Sequence, residues 1–228
     1  MSCANDPLVV FACDFEKNAF YDDRSAVTAR YRPLTTGIGL WDARHVLRCY
    51  LIETSLKPTC ILSVGTAASI TENLHSGDVV VGGASFGDRY YEPDGRLMHV
   101  VDYGPNEKDG FEVFGGNCIS DDSLILNEGD RASAMSRFRK KCFKSAYPHL
   151  DETSDGIYIC GDREAAAIAI EAERNVIPFV AIKGISDTGS NTEETRERNE
   201  ERAARNAATV AKGILERWMA YRKDCYYG

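Results

Sequence analysis

Five short apolar runs punctuate the chain: LVVFAC (8–13), TCILSVG (59–65), DVVVGGAS (78–85), GIYIC (156–160) and IPFVAIK (177–183). They are continuous rather than alternating, as expected of strands covered on both faces. Between them, apolar positions recur at helical steps. Val46, Leu47, Tyr50 and Leu51 mark a helix over 41–56, ahead of Pro58. Ala203, Ala207, Val210, Ile214 and Trp218 mark a last helix from about 195 to 221. Residues 164–174 read as a further helix, and 131–145 as a basic, helix-compatible segment. Residues 87–116, rich in Gly, Pro, Asp and aromatics, read as loops and edge strands. Buried strands alternating with amphipathic helices predict an α/β layer fold, with 1–228 as a single domain.

Composition narrows the function classes. A chain of 228 residues, 43% hydrophobic, can bury one sizeable core. A net charge of -8 argues against a surface that tracks nucleic-acid phosphates. No apolar run approaches the roughly 20 residues of a membrane span, and the N-terminus lacks a signal-peptide pattern. Eight cysteines occur without a CxxC pair, and Cys13, Cys60 and Cys160 lie in or beside apolar runs. They read as reduced thiols, which predicts a cytoplasmic protein. His45, His75, His99 and His149 show no ligand spacing, so neither a metal nor another cofactor is expected.

Ligands of α/β sheets bind beyond strand ends, and three such places carry polar groups. Asp14 and Glu16 follow the first run, Gly65 and Thr66 end the second, and Glu164 and Asp187 flank the last strand with its preceding helix. Each has an ordinary explanation alone: an acid in a first helical turn, a cap, a tight turn. Neither GxGxxG nor GxxxxGK[ST] is present.

Order and spacing together say more. LVVFACDFE, TTGIGLWDARHVL, SVGTAASITENLHSGDVVV and REAAAIAIEAERNVIPFVAIKGISD resemble, in that order, segments of the nucleoside phosphorylase/nucleosidase superfamily. The similarity is closest to the methylthioadenosine/S-adenosylhomocysteine nucleosidases. Glu164 and Asp187 stand 23 positions apart, the family's own separation. The resemblance covers about 8–85 and 156–220. It implies a three-layer α/β/α sandwich around a mixed twisted sheet, assembled as a homodimer or higher homo-oligomer. It further implies hydrolysis of the N-glycosidic bond of a purine nucleoside of adenosine, methylthioadenosine or S-adenosylhomocysteine type.

By the same resemblance Asp187 is the general acid at the purine, with a pKa expected to be raised by burial. Glu164 accepts the ribose hydroxyls and Glu16 activates water. Lys183 replaces a family arginine near that water, Ser186 supports the site, and Gly65, Thr66 and Ala67 line the sugar pocket. Ile38, in the GIG turn, and Ile159 are further lining candidates. Arg163 stands where the family has methionine. It is a candidate for holding a 5′-phosphate, as in AMP, or for a surface ion pair. The family's base-stacking aromatic is missing, leaving Tyr158, Ile159 or the Phe86–Tyr91 stretch as substitutes. Ser63 occupies the position of the phosphorylases' phosphate-gripping basic residue, which favours water as nucleophile. Two alternatives stay open: a phosphorylase with a phosphate site rebuilt from Arg163, Arg89 or Lys183, and a non-catalytic nucleoside-binding or storage protein.

Overall fold

A computed structural model of the chain describes residues 6–22, 30–55, 57–123, 128–150, 156–189 and 193–227. Nine strands form one mixed sheet: β1 (Leu8–Phe11), β2 (Arg32–Thr35), β3 (Ile61–Ser69), β4 (Val79–Phe86), β5 (Arg89–Tyr91), β6 (Gly104–Asn106), β7 (Phe111–Ser120), β8 (Ile159–Asp162) and β9 (Phe179–Asp187). Seven helices cover it: α1 (Asp14–Asp22), α2 (Leu40–Glu53), α3 (Gly95–His99), α4 (Glu128–Lys141), α5 (Phe143–Ala146), α6 (Ala165–Arg174) and α7 (Glu193–Tyr227). The order β2-β1-β3-β8-β7-β4-β5 is supplemented by β9, which pairs with both β3 and β4. The strands β3, β8, β7, β4 and β9 thereby close on themselves, a feature the apolar runs did not disclose.

Each strand sends alternate residues to opposite faces, and two cores result. On one face, Leu8, Val10, Ile61, Phe179 and Ala181 pack with α2 and with the alanine-rich α6. On the other, Val9, Phe11, Leu62, Val180 and Ile182 pack beneath α7 through Ala207, Ala211, Ile214 and Trp218. The α7 backbone comes so near the sheet that a Cβ at Gly184 would strike the Ala203 carbonyl. Helices on both faces of a mixed sheet give the layered sandwich that the sequence implied.

Several elements differ from the sequence reading. Residues 111–116, within the stretch 87–116 read as loops and edge strands, belong to β7, an interior strand between β8 and β4. The short β2 and α1 did not stand out either. The basic segment 131–145 divides into α4 and α5, and β3 and β9 run on to residues 69 and 187. That last extension matters most, because it carries Asp187 on the end of a strand rather than beyond it.

Candidate active site

The site gathers where β1, β3, β8 and β9 end. Past β1 the chain turns directly into α1, and Glu16 in its first turn folds back into the protein. It is 7% exposed, and its carboxylate accepts from Ala12 N at 2.9 Å and Thr66 N at 2.8 Å. Two backbone amides thus fix both oxygens. The carboxylate lies flat on β3, because a Cβ at Gly65 would fall inside it. Gly65 is therefore required by Glu16, a closer role than lining a sugar pocket.

Glu164 precedes α6 and is 6% exposed. It accepts from Gly39 N at 2.8 Å, where the GIG turn enters α2 with Gly39 at φ 106, a conformation suited to glycine. Burial pushes the Glu164 pKa up to about 7, helped by the charges of Asp162 and Glu16 and opposed by Lys183 and the Gly39 amide. That mutual influence brings the two carboxylates into one electrostatic neighbourhood.

Lys183 is sealed within β9. It is 2% exposed and pairs with Asp162 at 2.9 Å. Asp162 also accepts from Ser120 Oγ at 2.5 Å and Ala165 N at 2.9 Å. Burial alone would push Lys183 down, but the charges of Asp162, Glu16, Cys118 and Glu164 together outweigh it and hold the ammonium well above its usual range. Burial likewise opposes ionisation of Asp162, and Lys183, Ser120 and the Ala165 amide together keep that carboxyl below its ordinary value. Both directions describe one buried ion pair, with Glu16 and Glu164 as additional acceptors of the lysine's field.

Asp187 occupies the last position of β9. Its neighbour Ser186 is the extra residue of a bulge: Ile185 pairs with Ala67 and Asp187 already pairs with Ala68. The bulge re-aims the strand end, and Ser186 Oγ donates to Ala67 O at 3.3 Å. Asp187 is half-buried rather than sealed. Its Oδ1 accepts from Gly189 N at 2.6 Å and from Arg131 Nη2 at 3.1 Å. Asp187 is thus partly exposed and paired with the Arg131 guanidinium. Gly161 flanks Ala68 on the other side. With adjacent strands about 4.8 Å apart, the Asp187 and Gly161 backbones lie roughly 10 Å from one another.

Beside Asp187, a cavity of about 960 Å³ is lined by Ser69, Arg131, Met135, Phe143, Ile159 and Thr188 among others. Ile159 lines it from within the core, whereas Ile38 is 54% exposed on the GIG turn. Tyr158 is stacked on Phe114 with centroids 4.1 Å apart and does not face the cavity as a base platform. Phe143, unnoticed in the sequence, is the aromatic that does line it. Arg163 forms no surface ion pair among the described residues. Its Nε is buried without an acceptor, and its guanidinium approaches Gly39. Arg89 pairs with Glu173 at 3.3 Å, on an exposed surface. Ser63 is buried, its Oγ unpartnered.

No family model matches the chain. It is 26% identical over 208 residues to the 5′-methylthioadenosine/S-adenosylhomocysteine nucleosidase of Halalkalibacterium halodurans, covering 81% of this chain and 79% of that protein. The chain is thus similar in sequence to a nucleosidase of this kind over most of both lengths. Its fold superposes on the Neisseria meningitidis methylthioadenosine/S-adenosylhomocysteine nucleosidase in complex with methylthio-immucillin-A, with TM-score 0.69, 19% identity and coverage of 93% and 99%. It superposes equally on the futalosine hydrolase of Helicobacter pylori, with TM-score 0.70, 12% identity and coverage of 94% and 98%. The nucleosidase fold recognised from four motifs is therefore the fold of the whole chain, including the middle that carried no recognisable motif.

Proposed function

We propose that the chain is a purine nucleosidase, hydrolysing the N-glycosidic bond of a nucleoside to free base and sugar. The observation that carries it is the burial of two amide-tethered carboxylates, Glu16 and Glu164, in one electrostatic neighbourhood at the strand ends where Asp187 closes β9. In this reading the C1′–N9 bond breaks with its electron pair passing to the base, and the sugar takes on positive charge. Glu164 accepts the ribose hydroxyls. Glu16 takes one proton from the water whose oxygen bonds to C1′. Asp187, whose Oδ2 has no protein donor among the described residues, delivers one proton to the base and regains one from solvent, while Glu16 returns the proton of the water to solvent. Water is favoured over phosphate as nucleophile because Lys183 is committed to Asp162, Arg89 to Glu173, and Ser63 stands where the phosphorylases carry a basic residue.

A second reading, hydrolysis of a nucleoside 5′-monophosphate, draws on Arg163, whose buried Nε has no acceptor and which adjoins Glu164. One assay separates the readings. Free base is measured from adenosine, inosine, methylthioadenosine, S-adenosylhomocysteine and AMP, with and without phosphate. Phosphate-independent release supports hydrolysis, release only with phosphate makes the enzyme a phosphorylase, and binding without product makes it a carrier. We infer a cytoplasmic homo-oligomer from the thiol pattern and the family resemblance, testable by fractionation and sedimentation. Among the described residues no helix is long and apolar enough to cross a membrane.

A further inference from the structure

We propose that Ser120 is a positioning residue for Glu164: by capping an amide of α6 it leaves the Glu164 carboxylate free to face the sugar instead of its own helix. The inference rests on the ribose role given to Glu164 above. Glu164 stands at the N-cap of α6, where a side-chain oxygen ordinarily accepts from the first free amides of the helix. The positive end of the helix draws a carboxylate the same way. Yet Glu164 makes no such bond. Its Oε1 accepts from Gly39 N at 2.8 Å, at the entry of α2.

Two other side chains occupy the cap. Asp162 Oδ2 accepts from Ala165 N at 2.9 Å, and Ser120 Oγ accepts from Ala166 N at 2.8 Å. Ser120 ends β7 opposite Asp162 on β8 and donates its hydroxyl to Asp162 Oδ1 at 2.5 Å. One hydroxyl thus serves the helix as acceptor and the carboxylate as donor, at a position only 2% exposed. Serine suits the place, because it accepts from the helix without adding a third carboxylate beside Asp162 and Glu164.

Without Ser120 Oγ the Ala166 amide has no acceptor, and Glu164 can supply one by turning back onto α6. That turn gives up the Gly39 contact and the hold on the ribose hydroxyls. It also takes the carboxylate from a place where burial, with Asp162 and Glu16, raises its pKa to about 7, to one where helix amides favour its charge. The groups facing Glu164 are Asp162 on β8, Lys183 on β9, Glu16 on α1, Cys13 just past β1 and the Gly39 amide, which Arg163 also approaches. All of them stay in a Ser120 variant, and Lys183 still pairs with Asp162.

The test uses the full chain. Thermal unfolding compares Glu164→Gln in the wild-type and Ser120→Ala backgrounds at pH 5 and pH 8. In the wild-type background glutamine should raise the melting temperature more at pH 8, where a raised carboxyl is ionised. In the Ser120→Ala background that extra gain should fall by at least about half, and in Ser120→Thr, which keeps the hydroxyl, it should persist. Calorimetry with formycin A, a C-nucleoside that cannot be hydrolysed, and with adenine reads the ligand side. Ser120→Ala should weaken formycin A about tenfold or more and adenine less than about twofold. Should Ser120→Ala not fold, Ser120→Cys, a weaker acceptor, is read in the same way, with smaller changes in the same directions. An equal gain in the two backgrounds overturns the proposal, since Asp162 then caps α6 unaided. A loss as large in Ser120→Thr, or equal weakening of formycin A and adenine, overturns it as well. Absence of formycin A binding and of turnover on every nucleoside would sink the nucleosidase reading alone, because the melting comparison needs no ligand.

Discussion

Replacing Glu164 with glutamine should stabilise the protein at pH 8 and barely at pH 5, while removing function. The carboxyl titrates at about 7 in the folded chain against an ordinary 4.5. A raised acid binds a proton in the folded state that the unfolded chain has released, so folding stability falls as pH climbs from 4.5 towards 7. Above pH 7 the whole penalty is present. Two and a half units correspond to on the order of 3 kcal/mol at pH 8 and about 1 kcal/mol at pH 5. Glutamine keeps an oxygen for the Gly39 amide and carries no charge at either pH. For a chain of this size each kcal/mol shifts the melting temperature by roughly 2–4 °C. The variant should therefore melt roughly 6–12 °C above wild type at pH 8 and only a few degrees above it at pH 5, in buffers of matched ionic strength. Ribose binding should weaken about 10–100-fold, since a hydrogen bond to a charged acceptor is worth about 1.5–3 kcal/mol. Equal shifts at the two pH values, or a variant less stable than wild type at pH 8, would refute the account of Glu164 as a desolvated carboxylate.

Other perturbations probe separate parts of the site. Asp187→Asn should fold normally and lose at least about two orders of magnitude in turnover, and near-normal kcat would remove Asp187 from the mechanism. Gly65→Ala should displace the Glu16 carboxylate; a kcat loss with a melting temperature near wild type is the expected signature, and unaltered turnover would show that Glu16 is not held as described. Lys183→Met should cost about 3–5 kcal/mol by leaving Asp162 buried and uncompensated, and Lys183→Met with Asp162→Leu should regain much of it. Denaturant unfolding measures both, and equal destabilisation by the single and double variants would contradict the pairing.

The apolar runs located β1, β3, β4, β8 and β9 because buried strands advertise themselves. Helical spacing located α2, α6 and α7 for the same reason. The strand β7 escaped because Gly115, Gly116 and Asn117 break its apolar pattern. Those positions answer to packing: a Cβ at Gly116 would strike the Tyr158 carbonyl, so glycine here marks close strands rather than a loop. Glu16 and Glu164 were legible through their order and spacing alone. Asp162 could have been found physically. A lysine inside IPFVAIK demands a buried carboxylate, and CGDRE offered one. Arg131 was out of reach, since its partner lies 56 positions away and nothing local distinguishes it from the other basic residues of α4.

The arrangement of charge also explains why a lysine is sealed behind the site instead of exposed within it. An oxocarbenium-like sugar develops positive charge, so the groups facing it should be fixed and negative before the reaction begins. In the mechanism we propose, Glu16 and Glu164 supply that field, and holding them together out of water is costly, in keeping with the rise of Glu164 to about 7. A lysine in open contact with them would cancel the field at the sugar. Bound to Asp162 at 2.9 Å, Lys183 has most of its charge answered, yet it still eases the ionisation of Glu164 from behind. Ser120 and the Ala165 amide complete the acceptor side of that pair. On that proposal the buried ion pair sets how much negative charge the sugar face can keep, with Asp162 answering the lysine and Glu16 and Glu164 left to the sugar.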